Sequence, residues 1–229
     1  MKRSLEVSLE AGGKRVFACA LDWPGWCRSG KTDDDALAAL VRYGPRYAAA
    51  IGPEAGLDPP SSTDDLKVVE RLKGAAGTDF GIPSKEAKAD RRPVDEADLE
   101  RMVRVLTGAW AAFDAAAERA AGHELRKGPR GGGRNRDKIV EHVLEAEEAY
   151  LRMIGGTGRG APKAGRGKGS PMASIRDRAL EALADRVNGV PLSENPRRRA
   201  KPWTPRYFAR RSAWHALDHA WEIEDRVEP

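Results

Sequence analysis

Residues 214–222 read Trp-His-Ala-Leu-Asp-His-Ala-Trp-Glu, within a stretch of helical pattern from about 205 to 227 that Pro205 opens. On an α-helix, residues four apart share a face, so His215 and His219 stand one above the other. Phe208, Arg211, Asp218 and Glu222 continue that stripe at spacings of three and four. A stripe mixing an arginine, two histidines and carboxylates is costly among packed helices unless each group has a partner. A metal ion meets that need, because neutral imidazoles become its ligands. Two histidines satisfied by protein partners are the competing reading.

Upstream, the apolar period is helical from Pro93 onward. Leu99, Met102, Val103, Leu106, Trp110 and Phe113 form one stripe, and a second helix over about 136–154 carries Ile139, Val143, Ala146, Tyr150 and Met153. A third runs over about 172–188 through Ile175, Ala179, Leu183 and Val187. The intervening 155–170 is rich in Gly, Lys and Arg, with no apolar face to bury. With the helix over 205–227 this predicts a four-helix bundle. His142 lies beside the apolar face of the second helix, with Glu145 nearly one turn on. A bundle brings it toward His215 and His219. Three histidine ligands leave positions open for water or substrate, the arrangement of a catalytic rather than a structural metal. Zn, Ni, Fe and Mn all suit such ligands. Glu145, Asp218 and Glu222 are candidates to orient the imidazoles, and Glu145 or Glu222 to ligate directly. His123 follows Gly122 past the end of the first helix and reads as a cap partner.

The first 75 residues have another period. Residues 4–10 and 15–21 alternate as strands around Gly12-Gly13, a hairpin signal. Thr32 predicts a helix cap, with a helix to about Ile51 that Pro45 kinks. Leu66–Leu72 reads as a further strand, giving a small α+β unit. Gly25-Trp-Cys-Arg-Ser-Gly-Lys-Thr32 matches the phosphate-loop pattern formally. Trp26 and Arg28 are bulky for a loop that wraps phosphate, and no strand ending in a magnesium-binding Asp follows. Thr32 is therefore expected to cap a helix, and Trp26 to pack or meet a partner.

The charge is uneven. Residues 1–90 hold 13 Lys+Arg against 14 Asp+Glu, and the rest of the chain 27 against 21. The excess lies at 126–138, 159–168 and 197–211, as solvated loops or as sites for nucleic acid or a small anion. Gly128–Asp137 reads as a connection or an anion cradle at a helix start. Arg206, Arg210 and Arg211 surround the start of the last helix. Arg210 and Arg211 are the candidates to bind an anionic substrate, or Arg211 pairs with a carboxylate. No apolar run approaches the roughly 20 residues of a membrane span, and the N-terminus lacks a signal-peptide core. Cys19 and Cys27 are expected as free thiols in a cytoplasmic protein.

Both halves resemble known families. Residues 93–229 resemble the DinB-like metal-binding four-helix bundles through His142, His215-x-x-x-His219, Gly-Gly-Gly-Arg-x-Arg-Asp and Arg-Arg-Ser-Ala-Trp-His. The resemblance implies a divalent metal on the three histidines. It also implies, for some members, transferase or isomerase activity with a low-molecular-weight thiol. Residues 1–75 resemble the HicB-like antitoxin fold through Trp23-Pro24-Gly25-Trp26 and Gly30-Lys31-Thr32 before Asp35-Ala36-Leu37. That implies a β-β-β-α-β order, with 76–92 as linker. The adjoining DNA-reading element of such antitoxins is absent. The expectation is a metal-dependent transferase or hydrolase acting on a small anion or a low-molecular-weight thiol, with a homodimer possible. The alternative is an interaction module for a protein or nucleic acid.

Overall fold

The computed structural model describes residues 4–127, 133–156, 170–192 and 201–227. Strands β1 (Leu5–Ala11), β2 (Val16–Ala20) and β3 (Cys27–Gly30) are followed by α1 (Asp33–Arg42), α2 (Gly44–Ile51) and β4 (Leu66–Lys73). The sheet order is β3-β2-β1-β4, antiparallel except for the parallel β1–β4 pair. Thr32 caps α1 as expected, accepting from Asp35 N at 3.1 Å while Asp35 accepts from Thr32 N. The single kinked helix expected to Ile51 is two helices. Pro45 has no N–H and its ring clashes with the preceding turn, so the chain breaks at Tyr43 and restarts with Pro45 in the first turn of α2.

Trp26 is buried, stacks on Tyr47 with centroids 5.2 Å apart, and donates from Nε1 to Leu40 O at 3.0 Å. It packs inside its own module. The expectation of free thiols is corrected. Antiparallel registry sets Cys19 opposite Cys27, and the two are joined as a disulfide. The third strand, only four residues long and without alternation, gives that registry no signal in the sequence.

The short helix α3 (Ala76–Asp79) and a 3-10 turn at Lys88–Arg91 lead into α4 (Glu96–Arg119), α5 (Arg136–Ile154), α6 (Pro171–Val187) and α7 (Pro205–Arg226). Asp95, Asn135, Ser170 and Thr204 cap the four long helices with their side chains. These helices pack side by side, α4 and α5 each against α6 and α7. The two halves share one core, which runs from Val7, Leu9 and Ile51 through Leu106, Phe113 and Ile139 to Phe208 and Leu217. Two close approaches hold them. Gly108 in α4 meets the backbone of Ile51, where a Cβ would lie 2.8 Å from Ile51 Cα. Gly25, at φ +86°, lies against Ala213 and Trp214 of α7.

Candidate metal centre

The crossing of α5 and α7 brings His142, His215 and His219 together. One ligand nitrogen from each lies within 4.8 Å of the other two. His142 is half-buried, whereas His215 and His219 are buried. The Nε2 atoms of His142 and His215 are 3.2 Å apart. Two nitrogens each about 2.1 Å from one ion are separated by roughly 3.0–3.4 Å at octahedral to tetrahedral angles, so the spacing suits a shared ion. Burial, then the neighbouring His219 and Arg211, hold His215 well below the usual imidazole range. Burial, then Arg134 and His219, lower His142. Both rings are thereby kept neutral, the form that ligates.

His219 Nδ1 lies 2.8 Å from Glu222 Oε2, so it donates its proton there and leaves Nε2 with a lone pair for a metal. That hydrogen bond, and then Arg226, hold Glu222 below the usual carboxylate range. Arg226 in turn donates to Arg126 O and Arg134 O, each at 2.9 Å, which ties the flanks of the Gly-rich segment to the site. His215 Nδ1 is buried with no partner among the described residues. The residues therefore fit a divalent ion, with one imidazole oriented from behind and one not.

The other expected residues separate. Glu145 stays exposed and acts on His142 through its charge alone. Asp218 faces away toward the N-terminal module, 3.6 Å from Arg28 Nη1. Arg28 is itself held over Tyr43, 3.8 Å from the ring centroid. Arg210 is buried and forked on Asp90, with a further bond to Lys85 O at 3.0 Å. Arg206 pairs with Asp98. Arg211 alone of these arginines lies beside the histidines, 4.6 Å from the Trp214 ring centroid and 5.7 Å from that of Tyr150. The Tyr150 ring stands edge-on to His215 at 5.6 Å.

His123 remains exposed beyond α4 and outside the triad. Of the basic stretches, 128–132, 159–168 and 197–200 lie outside the described residues. Arg136 is taken up by Ala117 O and Asp137. A cleft of about 600 Å³ lies apart from the histidines, between Trp23, Asp98, Arg101 and Arg206. Its charges are largely paired with one another, Asp98 with Arg101 and Arg206, and Glu6 with Arg92.

Sequence reading missed two features. One is the aromatic cluster beside Arg211, in which Trp203, packed on Tyr150, comes from a segment with no periodic signal. The other is the buried Arg176–Glu147 pair, joined by the exposed Asp114, which links α4, α5 and α6. No family model matches the chain, and neither a curated protein nor a solved structure matches it.

Proposed function

We propose that the chain is a divalent-metal protein of the DinB-like kind and a metal-dependent enzyme of thiol-transferase or hydrolase type. Its substrate is a small anion. The observation that supports this most is the triad itself, three imidazoles from two helices with ligand atoms within 4.8 Å and one already oriented by a carboxylate. A bound divalent ion supplies Lewis-acid chemistry toward water or a thiol. The chain's own residues do the rest. Glu222 holds the proton on His219 Nδ1, and the buried flank of α7 keeps His215 neutral. Arg211 supplies a cation beside the histidines that no described carboxylate pairs, and it favours an anionic ligand over a cationic one. The buried Trp214, packed on Phe17, Cys19 and Cys27, braces this part of α7 from the N-terminal sheet.

No described helix is long and apolar enough to cross a membrane. A cytoplasmic location remains our reading, without the support that free thiols would have lent it. A second reading, that the first 75 residues serve as an interaction module for a protein or nucleic acid, draws on their three strands, the helices α1 and α2 and the returning strand β4, one helix more than the expected order. The test is an assay of thiol consumption with small carboxylate-bearing electrophiles, using metal-loaded and chelated protein. Turnover by the loaded form alone, abolished in His142→Ala, is expected. Full metal occupancy without turnover of any thiol or hydrolysable anion, combined with specific binding of nucleic acid, would favour the interaction module.

A further inference from the structure

The arginines of α7 differ in how they are satisfied. Arg206, Arg210 and Arg226 each hold a carboxylate, Asp98, Asp90 and Glu222 respectively. Arg211 has no ion pair among the described residues, and its Nη1 is buried without a hydrogen-bond partner. Trp214 Nε1, on the same turn and within a buried side chain, is likewise buried and unpartnered. A buried charged donor left unmade is costly, more so than the same group exposed. A charged donor and an indole N–H, both unpartnered and next to a ligand-competent triad, point to an acceptor outside the described residues.

The walls of this place are flat rings. Tyr150 and Trp203 lie 5.1 Å apart, and Trp203 and Tyr207 4.9 Å. Trp203 is tied to the end of α5 by its N–H to Met153 O at 2.9 Å. His142, Tyr150, Trp203 and Arg211 are each only partly buried, so this side of the centre reaches the surface. Aromatic walls accept any apolar body, but they reward a planar one by offset stacking and edge contacts.

We propose that Arg211, Tyr150 and Trp203 form a subsite beside the triad that takes a planar carboxylate, aromatic or conjugated. Arg211 receives the carboxylate, and the rings receive the flat body. The identification of this ligand as substrate rests on the metal reading above; the subsite itself does not.

The experiment measures binding of benzoate, cyclohexanecarboxylate and benzamide to the full-length, zinc-loaded chain by calorimetry, with metal content determined in each sample. Benzoate should bind about five- to tenfold more tightly than its saturated counterpart, the range of an aromatic contact beyond burial. Benzamide, lacking the charge, should bind roughly ten- to hundredfold more weakly than benzoate. Trp203→Leu should level the two acids. Arg211→Gln should lose both acids with metal content unchanged. Arg211→Lys, which keeps the charge, should retain them at reduced affinity, and it serves if the Gln variant does not fold. Equal affinity for benzoate and cyclohexanecarboxylate in metal-loaded protein, or benzoate binding unaffected by Arg211 substitution, would overturn the subsite. Arg211-dependent benzoate binding by a chain that takes up no metal would leave the subsite standing and sink the metal reading instead.

Discussion

Neighbouring residues on α7 have opposite fates. Arg210 and Arg211 are one position, about 100° of helix, apart. One is buried on Asp90 and the other stands beside the histidines. The sequence offered both as anion binders, because which side of a helix faces which neighbour depends on partners over a hundred residues away. The histidines were legible, since i, i+4 spacing fixes a face without knowledge of the partner. Glu222 was legible for the same reason, and Glu145 was not distinguishable from it. Glu147 gave no signal, yet burial pushes it up to about 7 despite the forked Arg176 guanidinium. Its folded value is therefore above its unfolded value, and the native state binds more protons than the unfolded state between about pH 4.5 and 7. Stability from this group is present below that window and lost as pH rises through it. The loss amounts to about 3 kcal/mol. Denaturant unfolding at pH 5 and pH 8 should show that slope in the wild type and a markedly smaller one in Glu147→Gln. Equal slopes would show that Glu147 does not titrate in that window.

At the scale of elements, the long helices were readable because each announces both its face and its ends. Asn135 and Thr204 stand where the apolar stripes begin, and their side chains cap α5 and α7. The break at Tyr43 and the pairing of Cys19 with Cys27 were not readable. The first depends on whether Pro45 bends a helix or ends it, and the second on the registry of a strand too short to show a period. The approach of α2 to α4 through Gly108 yields a sharp prediction. In an isolated helix, Gly→Ala is stabilising by about 1 kcal/mol. Here the added Cβ would fall 2.8 Å from Ile51 Cα and 2.9 Å from its carbonyl oxygen. Backbone cannot yield as a side-chain tip can, so Gly108→Ala should lower stability by about 1–3 kcal/mol. Thermal unfolding decides it, and a variant melting above the wild type would mean that α2 does not sit against α4.

Over the whole molecule, the sequence showed two periods and hence two halves, but not that they share a core. Nothing local marks Gly25 as the residue that lies on Ala213, or Trp214 as the side chain that reaches the Cys19–Cys27 strands. The N-terminal sheet thereby bears on the helix carrying two of the three histidines. The stretch expected as linker, 76–92, supplies Asp90 to the buried Arg210. Elemental analysis of purified wild type and His215→Ala, after equilibration with a divalent metal and removal of excess, shows whether the triad holds an ion. Losing one of three ligands weakens a chelate strongly. The wild type should hold about one equivalent per chain and the variant far less, with the variant still folded. Equal metal content in the two proteins, or none in either, would contradict a metal-binding triad.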